Sequence, residues 1–178
     1  VTLIDRDVYE STNLRSQAIT ARDVGKAKAV VQAQRLRQIN PALHVQAIAD
    51  AVENVPLGLL RCDAILAALD SRAARRTVHR AAWRLGVPWI DSGVHGDDLL
   101  ARVNVYVPRA GQPCLECAWQ PRDYETLDQA YPCDPSAQLA APTNAPSSIG
   151  ALAASLEALE CQKLLSGNWE CAAIGRQV

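Results

Sequence analysis

No apolar run in the sequence approaches the about 18 residues that a membrane helix needs. The best stretches, Ala64 to Leu69 and Ile149 to Ala154, are short segments, and no signal peptide or membrane anchor is visible. Blocks of like charge are missing as well. The 18 basic and 19 acidic residues are dispersed and leave a formal charge of -1, so no field exists to draw in nucleic acid or an anionic membrane. Six cysteines in 178 residues are too few to replace a hydrophobic core, which points to a reducing, cytoplasmic setting. Methionine is absent and Val1 leads straight into a strand-like run; the sequence therefore reads as an internal piece of a longer protein. Nor does a G-x-G-x-x-G loop occur anywhere, so the usual phosphate cradle of a dinucleotide-binding fold is not within these residues.

What is present is a chain 49% hydrophobic and 21% charged, enough to bury a sizeable core in one domain over residues 1–178. Val1 to Ile4 reads as the end of a buried strand closing at Asp5. Between Gly25 and Asn40, the residues Ala29, Ala33, Leu36 and Ile39 recur at helical spacing, and Asn40-Pro41 supplies the stop. His44 to Ala49 and Ala64 to Leu69 read as further strands, the latter apolar on both faces as in a parallel sheet. A helix follows from Asp70-Ser71, with Ala74, Val78, Ala81 and Leu85 on one stripe and Gly86 at its end. Trp89 to Ser92 is the next strand. Leu99 to Val107 alternates Val103, Val105 and Val107 with polar neighbours, as a strand with one wetter face does.

From Trp119 to Ser147 the chain carries five of its ten prolines and no period, which predicts a long irregular loop of the functional or mobile kind. The last helix is expected from Ser148 to Ser166, with Ile149, Leu152, Leu156 and Leu159 inward, and Ala172 to Val178 as a closing strand. This order predicts an α/β fold: a Rossmann-like, doubly wound, mostly parallel sheet with an antiparallel extension, whose ligands sit beyond the carboxyl ends of the strands. Asp5, Asp70 and Asp91-Ser92-Gly93 would line that edge. An acid in the place of Asp5 typically accepts hydrogen bonds from ribose hydroxyls, with the glycine loop about 20 residues upstream.

The run Asp5-Arg6-Asp7-Val8-Tyr9-Glu10-Ser11-Thr12-Asn13-Leu14, then Gln17 and Asp23-Val24-Gly25-Lys26-Ala27-Lys28, resembles the ThiF/MoeB/HesA-like ubiquitin-activating superfamily. Later landmarks agree in order: Asn40-Pro41, Asp70 with Arg75, Pro113-Cys114-Leu115-Glu116-Cys117, and Ser155-Leu156-Glu157-Ala158-Leu159-Glu160. The resemblance implies an enzyme that uses ATP and Mg2+ to adenylate the C-terminal carboxylate of a ubiquitin-like or sulfur-carrier protein, often with thioester or persulfide transfer afterwards. By position, Asp5 would hold the ribose, and Asn13, Gln17 and Lys28 would contact or position the phosphates. Asp70 would serve the magnesium and the attacking carboxylate, with Arg75 supporting it. Cys114 and Cys117 would be half of a zinc (Zn2+) site whose second pair lies beyond this chain. Cys133, in the loop before the final helix, would be the nucleophile, and a homodimer is implied.

Two departures qualify this. Ser16 stands where the resemblance places an arginine, with Arg15 one residue early. The missing glycine loop deprives the phosphates of backbone N–H donors at a helix N-terminus, so this stretch alone is expected to bind ATP poorly and to be inactive.

Each candidate also has an ordinary reading. Asp70 before Ser71 is what a helix N-cap looks like; Lys26 and Lys28 could be solvated charges, Asn13 and Gln17 loop polar groups, and Asp5 a turn cap. The Cys114–Cys117 spacing suits zinc, a redox pair or an unliganded pair, and Cys133 could be an incidental loop thiol, its pKa raised by Asp134. Cys62 and Cys161 read as core residues, His44 and His79 as surface ones, and His95 as a group that could approach substrate. A non-catalytic scaffold of the same fold, binding a ubiquitin-like protein or an active partner subunit, is the alternative function; a nicotinamide dehydrogenase would not account for Asn13, Gln17, Lys28, Cys114 and Cys117 together.

Overall fold

The computed structural model describes residues 1–125, 127 and 145–178, in two compact units, Val1–Pro56 and Leu57–Val178. In the first, β1 (Thr2–Ile4) and β2 (Gln46–Ile48) pair in parallel, with Ile4 opposite Ile48. Parallel neighbours require a crossover, and α1 (Lys28–Ile39) lies in it, burying Ala29, Val31 and Ala33. The helix stops at Asn40, as the following Pro41 demands. The aperiodic stretch between β1 and α1 is ordered by distant backbone bonds: Tyr9 N to Lys26 O at 2.9 Å, Gly25 N to Tyr9 O at 2.8 Å and Lys28 N to Asp7 O at 2.9 Å. Two short 3-10 turns, Ser11–Arg15 and Ala21–Asp23, fill it.

In the second unit the strand order is β3-β4-β5. β3 (Ile65–Ala67) runs parallel to β4 (Trp89–His95), and β4 runs antiparallel to β5 (Leu100–Tyr106). Between β3 and β4 lies α2 (Arg72–Leu85), closed by Gly86 in the left-handed conformation at φ 70°, which glycine adopts without a Cβ penalty. Val103 and Val105 on the inward side of β5, and Val107 just past its end, are all buried. With Ile90 and Leu164 they form a core on which Leu156 and Cys161 pack. A five-residue helix, α3 (Pro121–Glu125), lies inside the stretch expected to be wholly irregular. The long α4 (Ser147–Leu165) covers β4 and β5. No helix among the described residues is long and apolar enough to cross a membrane.

Four expectations are corrected. The buried side of α4 is Ala153, Glu157, Glu160 and Leu164, whereas Leu152 and Leu159 are 54% and 49% exposed. The helix turns this way because the two carboxylates are needed inside, where they accept backbone hydrogen bonds. His79 is buried, not superficial; its ring lies 4.3 Å from that of Trp83 at a tilt of 50°, and burial pushes its imidazole below the ordinary value. Cys62 is exposed rather than in the core, its thiol within 3.2 Å of Ala64 O. The closing strand is not a ladder: Ile174 bridges Val105 in parallel sense and Gln177 bridges Asn104 in antiparallel sense. Gly175, at φ 68°, lies between the two bridges and reverses the chain.

Candidate functional site

In the first unit, β1 delivers Asp5 at its carboxyl end, still held to β2 by its N–H to Ile48 O at 3.1 Å. The Asp5 carboxylate accepts the N–H of Asp7 at 2.8 Å, which fixes its orientation in a short turn. Lys28, the first residue of α1, reaches back to the Asp7 carboxylate at 2.8 Å with its side chain only 18% exposed, and its ammonium lies 6.0 Å from the ring centre of Tyr9. It is an aimed charge, and the solvated reading does not hold for it. Asn13 lies in the first 3-10 turn and Gln17 just past its end, where Gln17 N bonds the Asn13 main-chain O at 2.9 Å. The Asn13 carbonyl oxygen takes the Glu10 N–H at 2.9 Å, so what Asn13 offers a ligand is its NH2 donor. Arg15 ends that turn exposed, and Ser16 follows half-buried.

The second unit carries Asp70 and Arg75. Ser71, not Asp70, is the N-cap of α2: its hydroxyl accepts the Ala74 N–H at 3.0 Å. Asp70 is thereby released from the capping role and stands exposed at the end of the segment leaving β3. Arg75 points into the sheet, its Nε 2.7 Å from the Asp91 carboxylate and its Nη2 3.3 Å from Ser92 O. Asp91 is fully buried, and Arg102 approaches its second oxygen at 3.6 Å. Burial pushes the Asp91 carboxyl above its ordinary value, and the two guanidinium groups pull it back.

Gly93, paired across the ladder with Arg102, leaves room for both cations. A Cβ built there would lie 3.1 Å from Arg102 Nε and 3.3 Å from Arg75 Nη2. Next to this group, Ser92 donates its hydroxyl to Glu157 at 2.8 Å, and the other Glu157 oxygen accepts the Ala67 N–H at 2.9 Å. Burial raises the Glu157 carboxyl, against these two hydrogen bonds that lower it.

Cys114 is the N-cap of a 3-10 turn, Leu115–Ala118, and Cys117 lies within it, their sulfurs 3.2 Å apart, far longer than a disulfide bond. The Cys114 N–H points at Cys117 Sγ from 3.2 Å. That donor draws the Cys117 thiol below its ordinary value, while burial raises Cys114. The two sulfurs converge as neighbouring ligands of one ion would, but a structural zinc needs four ligands. Among the described residues no group of three or more His, Cys, Asp or Glu is placed to hold a metal, so Cys161, Cys171 and His95 do not complete this pair. His95 instead pairs with Asp98 at 3.0 Å. Cys133 lies outside the described residues.

A model of the ThiF family matches residues 1–177. The chain belongs to the ThiF family. Among relatives of this ThiF chain, the sulfur carrier protein ThiS adenylyltransferase of Escherichia coli (strain K12) is 28% identical over 165 residues, covering 92% of the chain and 61% of the relative. The sulfur carrier protein adenylyltransferase of Thermus thermophilus is 31% identical over 122 residues, 66% of the chain and 45% of the relative. Among solved structures, E. coli MccB with succinimide superposes with a TM-score of 0.72 at 25% identity, over 99% of the chain and 51% of MccB. The chain thus spans between about half and three fifths of these proteins, and its fold is the Rossmann-like α/β fold that they share.

For this ThiF chain, the sequence marks Asp5, Lys28, Asp70 and Arg75 and places Asp91 at the sheet edge, but it does not show that Lys28 pairs with Asp7 or Arg75 with Asp91. Asp7 was visible in the motif, 21 positions from Lys28. Arg102 had a signal in Gly93, directly opposite it on the next strand. Glu157 lies in the quoted motif of the last helix, but its pairing had no signal, since its partner Ala67 is 90 positions away.

Proposed function

We propose that this chain forms part of an adenylyltransferase that activates the C-terminal carboxylate of a ubiquitin-like or sulfur-carrier protein with ATP. The observation that carries the reading is Asp70: in a ThiF-family chain, a carboxylate is left exposed beyond the carboxyl end of a parallel strand, while its neighbour Ser71 does the capping. Asp5 would receive the ribose hydroxyls, and Asn13, Gln17 and Lys28 would face the phosphates. An attacking carboxylate oxygen forms a bond to the α-phosphorus as the bond to the pyrophosphate oxygen breaks. Negative charge grows on the phosphoryl oxygens, so preorganised cations aimed there lower the barrier. A single carboxylate with water and phosphate oxygens is an ordinary magnesium environment, which Asp70 fits; the ion would supply charge neutralisation. Arg75, held on Asp91, would act by fixing α2 rather than by touching the nucleotide.

Cys114 and Cys117 would supply two of four zinc ligands, the others coming from outside the described residues. A cytoplasmic homodimer and thioester or persulfide transfer through Cys133 belong to the same reading. So does the expectation that residues 1–178 alone bind ATP poorly, since no G-x-G-x-x-G loop occurs among them.

A second reading, a non-catalytic scaffold, is favoured by Ser16, which cannot offer a phosphate the charge-assisted fork of an arginine. ATP–pyrophosphate exchange by the intact protein, supplied with candidate ubiquitin-like proteins, separates the two. Exchange that depends on one such protein and disappears in Asp70→Ala is the expected result; a folded protein without exchange for any of them supports the scaffold.

A further inference from the structure

The buried carboxylate of Glu157 takes no part in the roles assigned above, yet it joins three separate segments. It lies 6% exposed on α4, a position where an aliphatic side chain would avoid the cost of burying a carboxylate. Both oxygens are used. One accepts the N–H of Ala67, the last residue of β3, at 2.9 Å; the other accepts the Ser92 hydroxyl on β4 at 2.8 Å. The turn that carries Asp70 begins just after Ala67 and enters α2 at Ser71.

The far end of the turn is held by the same strand. Arg75, in the first turn of α2, is bonded to Asp91 at 2.7 Å and to Ser92 O at 3.3 Å. Ser92 therefore meets both clamps, through its hydroxyl to Glu157 and through its carbonyl to Arg75. The charged and titratable groups facing Glu157 are Asp91 and the Cys161 thiol.

We propose that Glu157 is a positioning residue for Asp70, fastening the strand end on one side of the Asp70 turn to α4 and to the strand that anchors the other side. This rests on the reading of Asp70 as the residue that serves the adenylation. Three consequences follow from the geometry. Loss of the clamp lets the Ala67–Ser71 segment open, so its amides exchange faster with solvent. Displacing a catalytic group by about 1 Å costs about 100-fold in rate, and the loss falls on kcat more than on KM for ATP, because Asp70 serves the chemical step. Glutamine preserves the clamp, since its carbonyl can accept from Ala67 and its NH2 can donate to the Ser92 oxygen.

The test compares Glu157→Leu and Glu157→Gln in the intact protein by hydrogen–deuterium exchange and by ATP–pyrophosphate exchange. The expected result is faster deuterium uptake over Ala67–Ser71 in the leucine variant, a fall in kcat of about 10- to 100-fold and a KM for ATP within about twofold of wild type. The glutamine variant keeps wild-type protection and kcat. Wild-type protection and kcat in the leucine variant overturn the proposal, as does a glutamine variant as impaired as leucine, which would assign the effect to charge. Should the leucine variant fail to fold, Ser92→Ala severs one arm only; it must show a smaller loss of the same kind, and no change there overturns the proposal. Absence of exchange in the wild type refutes the adenylation reading, while deuterium uptake still decides the clamp.

Discussion

Replacing Arg75 with alanine removes the one hydrogen bond that the Asp91 carboxylate has among the described residues. Asp91 is 0% exposed, with Arg75 at 2.7 Å on one oxygen and Arg102 at 3.6 Å from the other, the latter beyond hydrogen-bond reach. Deleting one partner of a buried pair costs about 3–5 kcal/mol, because the remaining charge is left uncompensated. Desolvation already raises the Asp91 carboxyl, with Arg75 the largest influence opposing it, so the variant partly escapes by protonation. A neutral carboxyl that is still unpaired costs about 1–3 kcal/mol, and the penalty should shrink as the pH is lowered. With a urea dependence of about 2 kcal/mol per molar, the midpoint falls by about 2 M at pH 7.5 and about 1 M at pH 5. Tryptophan fluorescence reports it, since Trp89 is fully buried on the same strand and stacked 4.8 Å from Tyr106. A midpoint shift below about 0.5 M at pH 7.5 would refute the account of Asp91 as a charge held by Arg75. Arg75→Met with Asp91→Leu should recover most of the loss, because no fully buried charge is left unpaired, Arg102 being 34% exposed.

Other perturbations separate the remaining roles. Ser71→Ala should cost about 1 kcal/mol of stability through loss of the α2 cap, whereas Asp70→Ala, at an exposed position without that duty, should stay within about 0.5 kcal/mol; equal effects in urea melts would contradict the capping assignment. The Glu157 carboxyl is raised in the folded protein from its ordinary value of 4.5, so the folded state holds the proton more tightly and wild-type stability falls as pH rises from 4.5 through the raised value. Glu157→Gln, which does not titrate, should gain relative to wild type across that interval, and parallel urea midpoints at pH 4.5 and 7.5 would count against it. Peptide mapping after brief iodoacetamide treatment should find Cys117 alkylated ahead of Cys114, because the thiol drawn down by the Cys114 N–H is the richer in thiolate; the reverse order would contradict that assignment.

The helices were legible wherever burial followed a local period. Ala29 and Ala33 on α1, and Ala74, Val78 and Ala81 on α2, are buried as their spacing requires, with Leu36 and Leu85 half-buried, but Ile39 at the end of the α1 stripe is 81% exposed. The ends were written in single residues, Asn40-Pro41 and Gly86. On α4 the same reasoning was right for Leu156, which packs on the core, but wrong for Leu152 and Leu159, because a period scored on leucines assumes that acids face water. Glu157 and Glu160 are inside because Ala67 N–H and Ala173 N–H need acceptors there, and neither partner is near in sequence. The exposure of Cys62 was foreshadowed by its charged neighbours Arg61 and Asp63. His79 sits beside Val78 on the apolar stripe, a cue to its burial. For the site, the motif indicated which residue types matter, but the couplings of Lys28 to Asp7 and of Arg75 to Asp91 are tertiary.

Gly93 gives an empty volume an electrostatic role. Where a methyl group would stand, 3.1 Å from one guanidinium and 3.3 Å from another, the vacancy sets how near two positive charges come to one sunken carboxylate. Alanine there adds no charge and forbids no backbone angle, yet it would press on both cations at once. The smallest side chain in the strand thus meters the charge balance beneath the Asp70 turn, and a mutation scored as conservative by size would register as a change in pKa.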